Sequence, residues 1–145
     1  MRNTLLAVTA GLFLVSFVGC KNETTPPEKT TEEKIIGKWM GVEVYYEETE
    51  PGKPVYSETE DISAYNFEFF SDGTFTMDSA GFDPETYDWA ITSDGKFVWY
   101  WNSTGSDVLN IPVLNDSQFH LEEKGEFDNG SGVLIPYKDV IRLKK

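Results

Sequence analysis

Two side chains stand alone as candidates for covalent or acid–base chemistry: Cys20, the single thiol, and His120, the single imidazole. An imidazole titrating near neutrality is the usual general base. His120, however, alternates out of phase with Phe119 and Leu121, which places it on the solvent face of a strand. No local Ser-His-Asp signature surrounds it, and one histidine with one cysteine gives no metal-ligand spacing. The 25 acidic side chains are so widely spread that no pair stands out as an acid/base dyad. The glycine-containing turns carry no lysine-serine cradle for phosphate. Asp128-Asn129-Gly130 begins like a calcium loop, lacks the acidic ladder of one, and reads as a turn. These residues point away from catalysis and call for neither metal nor cofactor.

Cys20 has a different context. Arg2 is followed by an apolar run from Leu5 to Val18, and Gly19 immediately precedes the cysteine. A charged start, a short apolar middle and a small residue at the cleavage point describe an export signal. The run is shorter than the roughly 20 apolar residues that span a bilayer. The segment Val15-Ser16-Phe17-Val18-Gly19-Cys20 resembles the lipobox of bacterial lipoproteins, with phenylalanine where leucine is commoner. The resemblance implies cleavage after residue 19 and acylation of Cys20, so that lipid anchors the mature chain and the thiol is consumed. Lys21 directly after the cysteine implies the outer membrane, with the periplasmic and the surface face both open.

Composition agrees with an exported, non-nucleic-acid-binding protein. The chain carries a formal charge of −13, and loss of the signal removes only the basic Arg2. Such a body is repelled by phosphate backbones and anionic headgroups, so nucleic acid is excluded as a partner and Cys20 must hold the membrane. A single cysteine forms no intramolecular disulfide. The tract Lys21 to Glu33 has no aliphatic or aromatic side chain and contains Pro26-Pro27, which predicts a disordered tether over residues 20–33. Residues 34–145 remain for one domain, expected to be monomeric.

Within that domain, short alternating segments rich in aromatic and β-branched residues predict an all-β protein. Ile35 to Tyr46, Ala64 to Phe70, Thr74 to Met77, Tyr87 to Ile91 and Phe97 to Trp101 are the first five candidate strands. Val108 to Leu114, Gln118 to Glu122 and Leu134 to Leu143 complete eight. Ser71-Asp72-Gly73 and Ser93-Asp94-Gly95 predict tight hairpins. Pro112 predicts an edge or a bulge in its strand. The one long connection runs from Glu47 to Ile62, and Asp83-Pro84-Glu85 is the only candidate for a helical turn. Serial hairpins favour an eight-stranded antiparallel up-and-down barrel over a Greek-key sandwich.

Gly37-Lys38-Trp39 at the start of the first strand resembles the Gly-x-Trp signature of lipocalins. The order of later features, Phe67 to Phe75, Tyr87-Asp88-Trp89, Ser93 to Lys96 and Leu109 to Leu121, is similar to the lipocalin-like domain of many Bacteroidetes lipoproteins. The resemblance covers almost all of Lys34 to Lys145. It implies a lipocalin-like barrel closed at one end whose interior takes a small apolar ligand. It also implies a floor in which an arginine from the last strand lies over the signature tryptophan. Arg142 over Trp39 is the matching pair, against the alternative of an outward-facing Arg142.

If the barrel closes, Tyr65, Phe67, Phe69, Tyr87, Trp89, Phe97, Trp99 and Trp101 point inward as candidate ligand-lining residues, with Phe75, Met77, Phe119, Leu121 and Ile141. Rings this bulky either fill the interior or leave room for one small ligand. Glu43 would face inward by simple alternation from Trp39. Either a bulge re-phases the strand and turns Val42 and Val44 to the core, or Glu43 is a polar group at the mouth. A solid core would instead make the protein an interaction module, meeting a protein or glycan through exposed Tyr46, Tyr56, Phe70 and Tyr100. Asp78-Ser79-Ala80 resembles a short O-glycosylation site.

Overall fold

The computed structural model describes residues 27–145; the expected export signal, Cys20 and the start of the expected tether lie outside the described residues. The chain enters through a one-turn helix, α1 (Thr31–Ile35), then runs through nine strands. These are β1 (Gly37–Glu48), β2 (Tyr56–Asp61), β3 (Tyr65–Phe69), β4 (Thr74–Ser79), β5 (Glu85–Ile91), β6 (Phe97–Tyr100), β7 (Ser106–Leu114), β8 (Gln118–Asp128) and β9 (Leu134–Lys144). All pairings are antiparallel between neighbours, and β1 pairs with β9 to close the barrel.

Nine strands make eight staves. β3 lies along the first part of β1, with Trp39 opposite Phe67, and β2 lies along the second part of the same edge, with Val44 opposite Glu60. The register slips by two residues where Ile62 tucks in between them, its N–H donating to Val42 O (3.3 Å) and its side chain buried. Gly41 is required there, because a Cβ would collide with the Ile62 carbonyl. The long connection expected over Glu47 to Ile62 is therefore mostly strand, and only residues 49–55 loop. β1 likewise runs to Glu48 rather than Tyr46.

α1 occupies residues assigned from composition to the tether. Thr30 and Glu33 form a capping box: Thr30 Oγ1 accepts from Glu33 N–H (3.2 Å) and Glu33 Oε2 accepts from Thr30 N–H (2.8 Å). Thr30-x-x-Glu33 is a sequence-legible helix start. Ile35, expected in the first strand, ends this helix and is fully buried. Its carbonyl accepts the Trp39 indole N–H (2.6 Å), so helix and signature tryptophan together seal one end of the barrel. Gly37 between them has φ 118°, a left-handed value that favours glycine. Asp83-Pro84-Glu85 forms no helical turn; Glu85 already starts β5. Among the described residues no helix is long and apolar enough to cross a membrane.

Both predicted Ser-Asp-Gly hairpins form, with Phe70 and Thr92 closing onto Thr74 and Lys96. Pro112 sits where the β7–β8 register shifts between Asn110 and Val113, as a missing backbone donor demands. A second bulge lies in β1: opposite β9, Gly41 faces Leu143 but Glu43 faces Arg142, so Val42 is the extra residue. The bulge alternative for Glu43 holds. Val44 packs on the core, whereas Val42 stays half-exposed and outside it.

The core is aromatic. Phe69 stacks on Phe75 (5.0 Å) and meets Trp89, Phe97 and Phe119 edge-on at 5.7, 5.9 and 5.8 Å. Such tilted and offset pairs add to plain area burial. The Trp89 indole donates to Thr74 O (2.9 Å), which lets a polar ring edge enter the core without loss.

Candidate functional site

The barrel interior divides into a filled half and an open half, the latter open in the sense that its inward side chains are only partly buried. Around the floor, Phe67, Phe69, Trp89 and Phe97 are all buried. The residual void among Phe67, Phe69, Phe75, Phe97, Trp99, Leu121, Ile141 and Leu143 is about 10 Å³. On this measure one water needs about 10–15 Å³, so the void holds at most one. These four expected ligand-lining rings therefore pack against one another and leave no space for a ligand. Trp101 departs from the expectation in another way. β6 ends at Tyr100, and Trp101 is 51% exposed, its ring lying across Gly105, where a Cβ would strike it.

The remaining expected residues, Tyr65, Tyr87 and Trp99, are half-buried and line the open half. Strand registers bring a polar set beside them that alternation from Trp39 alone does not predict. Val44 opposite Ile141 fixes the inward parity, so Tyr46 and Asp139 face in together, as do Glu123 and Asp139, and Glu48 and Tyr137. β2 adds Glu58 opposite Tyr46 and Tyr56 opposite Glu48. Trp99 faces Asp107 across β6 and β7. Sequence reasoning missed Tyr137, Asp139 and Glu123, although counting back by twos from Leu143 places the first two inward. Tyr46, expected on the outer surface, is turned inward by the bulge at Val42.

Phenols and carboxylates in this half are bonded to each other. Tyr46 donates to Glu48 (2.7 Å), Tyr56 to Glu58 (2.9 Å), Tyr137 to Glu123 (2.8 Å), and Tyr87 to Glu85. The bond to Glu48, then burial, pushes the Tyr46 phenol up to about 12, so it stays a neutral donor. Each carboxylate accepting one phenol keeps lone pairs free for a further donor. Burial first, and then the Glu123 charge, push the Asp139 carboxyl above the usual range. No ion pair among the described residues reaches Glu48, Glu58, Glu123 or Asp139. The Trp99 Nε1–H is buried without an acceptor among the described residues. Among the described residues no cluster of three His, Cys, Asp or Glu is arranged to hold a metal ion.

Asp139 gives a pH-dependent prediction. Its raised folded pKa means the folded chain binds this proton more tightly than the unfolded chain, so ionised Asp139 opposes folding at neutral pH. Asp139→Asn is expected to stabilise the protein at pH 7, by at most about 1 kcal/mol once solvent screening is allowed for. The gain should shrink as pH falls toward the ordinary aspartate value of about 3.9 and vanish below it, which urea melts at pH 7, at about pH 4 and near pH 3 would check.

The floor cation differs from the expected one. The Val42 bulge places Arg142 opposite Glu43, and the two form an ion pair on the outer face with Arg142 also 5.7 Å from the Tyr45 ring. Lys145 takes the position over Trp39, its Nζ 4.3 Å from the ring centroid, and donates to Lys34 O (3.3 Å). A double-mutant cycle of Trp39→Phe with Lys145→Ala should show coupling of about 0.5–1 kcal/mol. The same cycle with Arg142→Ala should be additive.

Other expectations fall into place as structure. His120 is out of phase with buried Phe119 and Leu121 but is half-buried and not fully on the solvent face; burial first, and then Arg142, lower its pKa against the pull of Glu43. Asp128 Oδ1 accepts the Gly130 and Gly132 N–H groups (2.8 and 3.0 Å), so this segment is a turn. Tyr56, Phe70 and Tyr100 are exposed as expected. Ser79 of the Asp78-Ser79-Ala80 motif is half-buried and faces Tyr65 across the β3–β4 pair. A hollow of about 630 Å³ lies on the outer face of β1, β3 and β4, lined partly by Lys38, Met40, Phe70 and Lys144. Trp39 and Phe67, whose side chains belong to the core, also border it.

An antiparallel up-and-down barrel sealed at one end is the architecture of a ligand-binding fold. The chain belongs to the lipocalin-like domain family, whose model matches residues 35–121, from the end of α1 into β8. No curated protein matches it.

Proposed function

We propose that this protein is a lipid-anchored, non-enzymatic binding protein of the bacterial envelope, held through acylated Cys20, most simply in the outer membrane. In this reading its open half takes a small amphipathic ligand. The observation that carries it is the contrast between the two halves of the interior. The floor is packed, so a ligand seats shallowly, with its apolar part against Tyr65, Tyr87, Met77 and Trp99. Its polar part then meets Glu48, Glu123 and Asp139, whose surplus negative charge and free lone pairs select a cationic or hydrogen-bond-donating group over a carboxylate. A deep fatty-acid site is disfavoured on the same grounds.

Native mass spectrometry of full-length protein offered dodecylamine or dodecanoate tests this. Uptake of the amine in preference to the acid, weakened by Glu123→Gln, supports the reading; uptake of neither, or of the acid alone, overturns it. Cys20→Ser should release the protein from membranes, and a variant still retained there would refute the anchor. The second reading, an interaction module with a solid core, is favoured by the 10 Å³ void and gains if no small molecule is retained.

A further inference from the structure

The barrel is closed except along one edge. β2 pairs with β1 alone, and all six of its residues are exposed. On the other side β4 would have to continue to cover it, but β4 ends at Ser79 opposite Tyr65 and turns away into β5. The Ile62 N–H bond to Val42 O sets the phase of the β1–β2 ladder. Bonded pairs alternate in an antiparallel ladder, so Glu60, Glu58 and Tyr56 bond to β1 while Ser57, Thr59 and Asp61 aim N–H and C=O outward. No backbone bond from these three groups to another strand is formed among the described residues.

An open edge with unpaired ladder groups is a template for an added strand. Two observations define what would fit. Glu58 and Glu60 stand on the inner face of β2 and Asp61 ends it, with no basic residue in the strand. A second copy of β2 would bring these carboxylates together, and like charges directly opposite are unfavourable. Beside the start of β3, a hollow of about 210 Å³ is lined by Tyr65, Met77, Ser79, Phe82, Asp83 and Glu85, and Phe82 there is 77% exposed. It adds two more carboxylates and an apolar foothold at the end of the same edge.

We propose that β2 is a docking edge for an extended segment of a partner protein, which adds as a further strand and presents lysine or arginine at alternate positions. The cationic side chains pair with Glu58 and Glu60 on the inner face. Small or β-branched residues face Ser57 and Thr59 on the outer one, and an apolar side chain rests against Phe82. The inference does not require a bound small ligand, although the hollow beside Phe82 shares Tyr65 and Met77 with the proposed ligand seat.

The test uses full-length protein in detergent micelles and three capped octapeptides: alternating (Thr-Lys)4, the same composition in blocks, and alternating (Thr-Glu)4. Binding is read by calorimetry and by amide hydrogen exchange. The alternating lysine peptide should bind and slow exchange at Ser57 and Thr59, with the blocked peptide weaker and the glutamate peptide silent. Thr59→Pro removes an outward N–H without touching the β1 ladder and should weaken binding at least about tenfold. The pair Glu58→Lys and Glu60→Lys should abolish it with the outward N–H groups intact, so a fold defect in the proline variant does not decide the matter. Equal binding of the blocked and alternating peptides without protection at Ser57 and Thr59 would mean simple charge adhesion and overturn the proposal. Protection of those amides by self-association, in the absence of peptide, would assign the edge to a second copy and overturn it equally.

Discussion

Replacing Phe69 with alanine is expected to destabilise the protein by about 3–5 kcal/mol, a large part of the total stability of a domain this size. Phe69 is 2% exposed and stands at the centre of the ring cluster, stacked on Phe75 and met edge-on by Trp89, Phe97 and Phe119. Those neighbours come from β4, β5, β6 and β8, so each is fixed by a different strand and cannot collapse into the gap without dragging its stave along. The loss therefore includes a cavity cost beyond the transfer of the ring from water. Phe70, one residue later, faces outward and is 37% exposed, so Phe70→Ala should cost within about 0.5 kcal/mol. Urea melts of the two variants provide the comparison. A Phe69→Ala loss below about 1 kcal/mol would mean the interior relaxes freely and is not the packed core described. The same variant opens room in the floor, and a gain of apolar ligand uptake would accompany the loss of stability.

Gly41→Ala is expected to have the second-largest effect, about 2–3 kcal/mol, by overpacking and not by a cavity. A Cβ at Gly41 would lie inside van der Waals contact of the Ile62 carbonyl oxygen and 3.0 Å from both Ile62 C and Cγ1. The nearest obstructing atom is the backbone carbonyl oxygen, held by the Ile62 N–H bond to Val42 O and the Tyr65 N–H bond to Ile62 O (2.9 Å), so no rotamer change of Ile62 relieves the clash. The added methyl has to push the β2–β3 junction off β1. Amide exchange should consequently accelerate at Ile62 and Tyr65 more than at Leu121 or Ile141 on the far side of the barrel. Gly37→Ala is the matched control: its φ of 118° strains an alanine, but nothing lies within 4 Å of the added carbon. It should cost about 1–2 kcal/mol, with no selective opening at Ile62. Equal exchange in the two variants would refute the close approach at Gly41.

Both effects concern places where strands distant in sequence meet, and this marks the boundary of what the residues reveal one stretch at a time. Strand identity was legible, because Tyr65-Phe67-Phe69 and Phe97-Trp99 carry a period of two that holds within a few residues. The two Ser-Asp-Gly hairpins and the irregularity at Pro112 were legible for the same reason: turn chemistry and a missing N–H act locally. Thr30-x-x-Glu33 was equally local, and composition overrode it only because the surrounding tract looked too polar to fold.

The phase of a long strand is a different matter. Val42 becomes an extra residue only because β1 must pair with β9, about a hundred residues away, while also serving β2 and β3 on its other edge. That single displacement sends Glu43 out to Arg142, brings Tyr46 in beside Asp139, and leaves Trp39 to Lys145. Whether the interior is full or hollow is also a sum over eight staves and cannot be read from any one of them. Alternation and turns are encoded within a few residues, so the all-β, up-and-down barrel was legible locally, and its lipocalin-like kind was legible through the resemblance that begins at Gly37-Lys38-Trp39. Tertiary structure alone decided the filled floor, the tyrosine and carboxylate lining of the open half and the free edge of β2. Each of those depends on the register in which the closed sheet meets itself.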